Sequence, residues 1–512
     1  MIYRVERALR WARRLFSRSE WAIRLLGLAA TDEPSTAPGL VMIQIDGLSR
    51  AQFNRALEAG RLPFLRSLID RDHYVDRAFY SGLPSSTPAV QGELFYGVKV
   101  AVPAFSFRAE KDGEIVRMWE PATADAVERR LGDQGTALLA GGSSYSNIYA
   151  GGAAEAHFCP SRMGWGDLLR GANPLAVAVL GLANAYSLVR AMALLVVEAA
   201  LAPIDFVKGF VGGYNLRREL RFVPTRVGIC VLLRELVTIG AKIDVARGLP
   251  IVHLNLLGYD EQAHRRGPGS GFAHWALKGI DDAVSRIWRA AKRSKRRDYE
   301  VWIYSDHGQE ACQPYASVTG RDIETTVAAL LHGPAEATPP GGAGQYGVQS
   351  HRIRVLSAND RWQRWLPTYG AAPVEADRLA EVAAMGPIAH LYLRRTVVRE
   401  ELVALAERLA AAESVPLVLA PSVAGQADAW TAEGRFTLPD ETASVMGREH
   451  PHLASIGDDL VALAHHPQAG DLILCGWRHG SGPISFAVEN GAHGGAGPEE
   501  TAGFALLPED AP

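Results

Sequence analysis

The stretch Leu40-Val41-Met42-Ile43-Gln44-Ile45-Asp46-Gly47 decides how the fold is read. A nearly unbroken apolar run ends abruptly in a carboxylate and a glycine. A strand with one wet face alternates apolar and polar residues, whereas a continuous apolar run suits a strand covered on both faces, as in a parallel sheet. The pattern returns at Pro250–Asp260 and Tyr299–Asp306, each run ending in a polar, turn-forming group, with helical periodicity between them. The expectation is an α/β fold: a doubly wound, mainly parallel sheet with helices on both faces. Ligands of such sheets gather beyond the carboxyl ends of the strands, which makes the polar residues there the ones to examine.

Four separated groups supply side chains for a hard or borderline cation. Asp46 closes the first strand, and Gly47 lets the chain turn tightly behind it. Asp260 and His264 stand four apart after the second run, close enough to share one ion from a turn or an incipient helix. Asp306 and His307 are adjacent, so they converge only if the strand stops there, which Gly308 permits. His493 lies in Gly491-Ala492-His493-Gly494-Gly495, a loop suited to approaching something compact, although a glycine-rich surface turn with a solvated histidine has the same look. Three carboxylates and three imidazoles are the mixed oxygen and nitrogen set that zinc accepts. A nucleophile candidate lies in Gly82-Leu83-Pro84-Ser85-Ser86-Thr87-Pro88. Such a cluster commonly caps a helix, and capping is compatible with catalysis, because free N–H groups at a helix N-terminus favour a phosphoryl group at Thr87.

The 512 residues, 48% hydrophobic and 21% charged, suffice for a large core and exclude a disordered or fibrous chain. A net charge of −3 gives no global attraction to nucleic acid, and no nucleic-acid polymer is expected as a partner. Cys159, Cys230, Cys312 and Cys475 are scattered without a CxxC pair and read as buried thiols.

Residues 1–34 read as a basic amphipathic N-terminal helix, docked on the body or lying on an anionic membrane surface. The apolar stretch 174–197 is long enough to span a bilayer, but motifs on both sides of it must meet in one site. The expectation is a helical cap over 165–245, either buried or touching lipid, inside a catalytic domain of 35–512. The run Lys292–Arg297 should end a helix begun near Gly279 and could face anionic headgroups. A glycine-rich loop at Gly341–Gly347 opens a small α+β subdomain at 340–440, with strands at Arg352–Ser357, Ile388–Leu393 and Pro416–Ala420 around a helix at Glu401–Ala412. Asp471–Gly476 and Ile484–Val488 then return to the body. Scattered thiols and the lack of a convincing signal peptide point to the cytoplasmic side, peripheral to a membrane if the helices touch lipid. Oligomeric state is not readable.

The ordered set Asp46, Thr87 with Gly97, Asp260-x3-His264, Ser305-Asp306-His307-Gly308 and the late His493 resembles the alkaline phosphatase superfamily, in its type I phosphodiesterase/nucleotide pyrophosphatase branch. The resemblance implies an alkaline phosphatase-like fold and a site for two divalent ions, zinc by preference. Asp46, Asp306, His307 and the Thr87 oxygen would hold one ion, and Asp260, His264 and His493 the other. Pro88 stands where nucleotide-specific members place an aromatic residue, so nucleotide recognition is not carried over; the long apolar stretch between Thr87 and Asp260 points to a lipid-like substrate. Cys312-Gln313-Pro314-Tyr315-Ala316 lacks the arginine of a sulfatase motif. The implied chemistry is hydrolysis of a phosphate diester through a phosphothreonine at Thr87. Two Zn²⁺, three carboxylates and one alkoxide sum to zero, which suits a singly charged diester better than a dianionic monoester. Lys99 and Arg108 could add charge there, or form ordinary salt bridges. A phospho-headgroup transferase, a phosphomonoesterase of the same superfamily, and a non-enzymatic membrane-surface protein with a structural metal site are the alternatives.

Overall fold

The computed structural model describes residues 18–31, 37–110, 113–162, 228–332 and 379–511, together with a few residues between 185 and 196. The strands that build its two large sheets are β1 (Gly39–Ile45), β2 (Tyr74–Tyr80), β3 (Ser143–Tyr145), β4 (Glu155–His157), β5 (Ile251–Leu256), β6 (Tyr299–Tyr304), β7 (Ala380–Met385), β8 (Ile388–Leu393), β9 (Leu417–Pro421), β10 (Ala427–Thr431), β11 (Gly434–Leu438), β12 (Leu472–Cys475) and β13 (Ala502–Pro508). The first sheet runs β2-β13-β6-β1-β5-β3-β4. Its β1–β5, β1–β6, β3–β5 and β3–β4 pairs are parallel, and β13 enters antiparallel between β2 and β6.

Strand β1 shows why its sequence is apolar on both parities. Val41, Ile43 and Ile45 enter one core with Phe53, Leu65, Val237 and Leu277, contributed by helices on that face. Met42 and its neighbour Leu40 face a second core with Phe95, Tyr96 and Leu131 from helices on the other face. Alternate residues of one strand therefore feed two layers, as a doubly wound sheet requires.

The second sheet, β7-β8-β12-β9-β10-β11, is antiparallel throughout. The expected strand at Ile388–Leu393 is β8 of this sheet, and the helix near 401–412, found at Arg399–Ala411, packs on it through Leu405, Ala406 and Leu409. Strand β12 corrects the expectation that Asp471–Gly476 returns to the body: Leu472-Ile473-Leu474-Cys475 lies between β8 and β9, so this sheet extends past residue 440. A fully apolar run states that a strand is buried, not in which sheet.

Helix Arg234–Arg247 corrects the C-terminal part of the expected cap. Val237, Ala241 and Val245, spaced four apart, pack it into the first core, so that it flanks the sheet. The helix expected from Gly279 begins at Gly271, where the Ser270 side chain accepts from the Ala273 N–H. Beyond its end at Lys292, two residues of the basic run are bound within the chain: Arg296 by Glu20 and the Ala246 carbonyl, and Arg297 by the carbonyls of Gly248 and Ala37, while Lys292, Arg293 and Lys295 are exposed. Glu20 belongs to helix Arg18–Leu26, which buries Ala22 and Ile23. Residues 1–17, most of 163–227 and the segment 333–378, with the expected loop at Gly341–Gly347 and strand at Arg352–Ser357, lie outside the described residues. In the apolar stretch Val189, Met192 and Val196 have exposed side chains. Among the described residues no helix is long and apolar enough to cross a membrane. All four cysteines are buried, and none is in a disulfide.

Candidate metal centre

The ends of β1, β5 and β6 lie side by side, and the residues just beyond them form one buried cluster. Asp46 follows β1, and its Oδ2 accepts from Asn255 Nδ2 at 3.1 Å. Gly47 then turns with φ of +70°, and a Cβ there would come within 2.7 Å of Asp260 Oδ1, so a side chain would collide with the site. β6 ends at Tyr304, which frees Asp306 and His307 to turn toward the same point. Gly47 N–H donates to Asp306 Oδ1 at 3.4 Å.

Asp260 and His264 lie on helix Gly258–Arg266, where the four-residue spacing places Asp260 Oδ1 3.4 Å from His264 Nε2. His493 follows the short strand Gly491–Ala492, paired with Glu310–Ala311. A Cβ on Gly491 would come within 2.4 Å of the Ala263 carbonyl, so the close approach of the two segments needs glycine. His493 Nε2 reaches Asp260 Oδ1 at 3.6 Å. Two groups result, Asp46/Asp306/His307 and Asp260/His264/His493, each with its candidate atoms within 4.8 Å of one another. They adjoin through the His307 and His493 rings, stacked at 3.9 Å.

Thr87 is the first residue of helix Thr87–Tyr96, behind the N-cap residue Ser86. Its Oγ1 donates to Asp46 Oδ1 at 3.2 Å and lies 3.2 Å from His307 Nε2. The seven sequence candidates thus come together in one buried cluster. Lys99 is not among the cleft-lining residues described below, and Arg108 is bound to Glu381 at 2.5 Å.

The protonation pattern fits a cation. His307 Nδ1 faces the Gly308 carbonyl at 3.0 Å, His493 Nδ1 the Ser85 carbonyl at 3.0 Å, and His264 Nδ1 the Gly491 carbonyl and Glu489 Oε2, both at 2.9 Å. Carbonyls only accept, so each Nδ1 carries a hydrogen and each Nε2 is turned toward the carboxylates. His264 Nε2 and Asp306 Oδ2 are buried without a hydrogen-bond partner. Lone pairs facing lone pairs in a dry site call for positive charge between them. Burial, with the adjacent His307, holds His493 well below the ordinary imidazole value. Against its own desolvation, His264 is raised by the Asp260 and Glu489 carboxylates, and Asp306 is raised by burial and by Asp260. A bound cation would take the place of that proton on His264.

Asn255, Gln309, Ser85, Glu489 and Glu500 were not singled out from sequence. Gln309 Nε2 donates to Asp260 Oδ1 at 2.6 Å, directly after the Asp306-His307-Gly308 signal that could have drawn attention to it. Glu500 accepts from the N–H groups of Gly495 at 2.8 Å and Gly497 at 2.7 Å and from Ser85 Oγ at 3.4 Å, which ties the His493 loop to the segment carrying Thr87.

Burial, reinforced by Glu310, pushes Glu500 up to about 8 despite those hydrogen bonds, and burial pushes Glu310 up to about 7. Both carboxyls therefore hold protons when folded that they release when unfolded, across the window from 4.5 to about 8. The unfolded state binds fewer protons there, so their contribution to stability falls as pH rises through that window. Glu310→Gln keeps an oxygen to accept the Glu499 N–H, bound at 2.7 Å, and removes the like charge. The variant should gain up to about 3 kcal/mol over the parent at pH 9 and nothing at pH 5. Denaturant melts at the two pH values check this; a difference independent of pH would rule out ionisation as the cause.

Residues 250–474 match the family model described as type I phosphodiesterase / nucleotide pyrophosphatase. That segment holds Asp260, His264, Asp306 and His307, while Asp46, Thr87 and His493 lie outside it. The matched segment is thus similar to phosphoester hydrolases of that description. Among solved structures, phosphonoacetate hydrolase from Sinorhizobium meliloti 1021 in complex with phosphonoformate is 14% identical at a TM-score of 0.46, covering 93% of this chain and 91% of that one. Murine ectonucleotide pyrophosphatase / phosphodiesterase 5, an inactive variant in complex with AMP, is 10% identical at a TM-score of 0.42, covering 92% of this chain and 88% of that one. No curated protein matches the chain.

Proposed function

We propose that the chain is a phosphodiesterase working through a phosphothreonine at Thr87, with two divalent ions, zinc by preference, held in the two ligand groups. One observation carries this reading: the Thr87 hydroxyl stands at a helix N-terminus in hydrogen-bond reach of Asp46 and His307, with the second group adjoining. Three imidazoles among the candidate ligands favour zinc over magnesium or calcium. Bound there, the ions would lower the pKa of the hydroxyl and neutralise charge on the phosphoryl oxygens.

The chain's own residues supply position and proton control. The positive end of helix Thr87–Tyr96, with the Thr87 N–H, favours a phosphoryl oxygen, while Pro88 carries no N–H and those of Ala89 and Val90 bind the Ser86 carbonyl. Asp46 Oδ1 accepts the Thr87 proton and holds the oxygen toward phosphorus. Attack by Oγ1 breaks the bond to one ester oxygen, which departs and takes up a proton as the alcohol, and leaves the rest of the substrate on Thr87; water then attacks phosphorus, one of its protons returns to Oγ1, and a monoester is freed. Carbonyl hydrogen bonds to the three Nδ1 atoms fix the ring orientations throughout.

Acid-quenched mixing of zinc-loaded protein with an aryl phosphodiester tests the proposal. Mass spectrometry should find a phosphoryl adduct on Thr87, with an aryl-alcohol burst before steady turnover. Turnover without an adduct at Thr87 would eliminate the covalent route. Release of product to added alcohols far above their share against water would favour the transferase reading. A lipid-like diester and peripheral membrane contact through residues 174–197 fit the apolar sequence of that stretch. Equal liposome flotation with and without 174–197 would remove the membrane role.

A further inference from the structure

A small cleft opens beside the ligand groups and is lined by a polar and an apolar set of residues. One is formed by Ser86, His264, Glu489 and His493. The other comprises Ala104, Phe105, Met385 and Ile388. Met385 and Ile388 flank the tight turn between β7 and β8, so the apolar wall is brought to the site by the second sheet. Among the described residues, no lysine or arginine lines the cleft. Arg108, three positions beyond Phe105, is drawn away: it pairs with Glu381, itself shared with Arg394, and its guanidinium lies over the Tyr392 ring at 4.6 Å. Glu489 adds negative character, its carboxylate bound by Ser485 Oγ at 2.6 Å and by His264.

We infer that this cleft is a specificity subsite for an uncharged, apolar substituent on phosphorus, and that it turns away pyrophosphates and nucleoside polyphosphates. The inference rests on the phosphodiesterase reading and narrows its substrate. A second phosphate in the cleft would lose its water against Phe105, Met385 and Ile388, meet no lysine or arginine among the described residues, and face the Glu489 carboxylate. An alkyl or aryl group there exchanges water for apolar side chains.

Two measurements on the zinc-loaded full chain test this separately from the function itself. Affinity for alkylphosphonates of increasing chain length, read by calorimetry, should rise about three- to fourfold per methylene until the cleft is full. For 4-nitrophenyl alkyl phosphates, kcat/KM should climb in parallel, exceeding that for a nucleoside triphosphate at least about a hundredfold. Met385→Ala should flatten both slopes while leaving the methyl compound unchanged. Met385→Lys should raise nucleoside triphosphate hydrolysis about tenfold. Affinity that rises with chain length without diester turnover refutes the phosphodiesterase reading and keeps the subsite. Diester turnover with a flat chain-length series, or with polyphosphates preferred, overturns the subsite alone.

Discussion

Thr87→Ala should lower turnover of an aryl phosphodiester by roughly 10⁴-fold or more, because it removes the oxygen that would form the covalent bond. The fold should survive. Helix Thr87–Tyr96 takes its N-cap from Ser86 and keeps Pro88 in its first turn, and alanine is a good helix residue. The change deletes one hydroxyl that donates to Asp46 and adjoins His307, a loss of about 1 kcal/mol or somewhat more in a buried setting. Thermal melts should therefore shift by only a few degrees while the rate collapses. Thr87→Ser keeps the oxygen and should retain a measurable fraction of the rate, with its adduct on residue 87. Binding of an alkylphosphonate should persist in Thr87→Ala, since the ligand groups and the apolar wall remain. Turnover within tenfold of the parent would remove Thr87 from the chemistry.

Much of this site was legible because the residues concerned sit where apolar runs stop. Asp46, Asp306 and His307 follow β1 and β6, and Asp260 and His264 lie in the first turns of the helix after β5. A buried strand must be apolar until it leaves the layer, so its end is visible in sequence. His493 has no such marker. Its place depends on Gly491 passing close to the Ala263 carbonyl, a contact between segments far apart in the chain, and only the ordered likeness to a family pointed there. The same reason hid Asn255, Gln309, Ser85 and Glu489, whose partners are set by packing and not by spacing. The apolar wall was out of reach altogether, because Phe105 and Met385 meet only once the second sheet docks on the first. Strand β12 failed for a simpler cause: four apolar residues fit either sheet equally well.

Stripping divalent ions should destabilise the protein, and zinc should restore it, with two ions bound per chain. The six buried side chains of the two groups bring three carboxylates and three Nε2 atoms within short range, and His264 Nε2 and Asp306 Oδ2 lack hydrogen-bond partners. An ion held by the native state alone adds about 2.7 kcal/mol at a free concentration a hundred times its Kd, so two sites together should move the melting temperature by several degrees. Asp260→Asn separates the sites. Its Oδ1 is the atom shared between His264 Nε2 at 3.4 Å and His493 Nε2 at 3.6 Å, while an amide oxygen can still accept from Gln309. The variant should bind one ion, held by Asp46, Asp306 and His307, and show about half the zinc-dependent shift. Elemental analysis after gel filtration and melts with and without chelator read both quantities without any substrate. A parent chain that retains no divalent ion, or an Asp260→Asn variant that still holds two, would mean that these side chains are not the ligands.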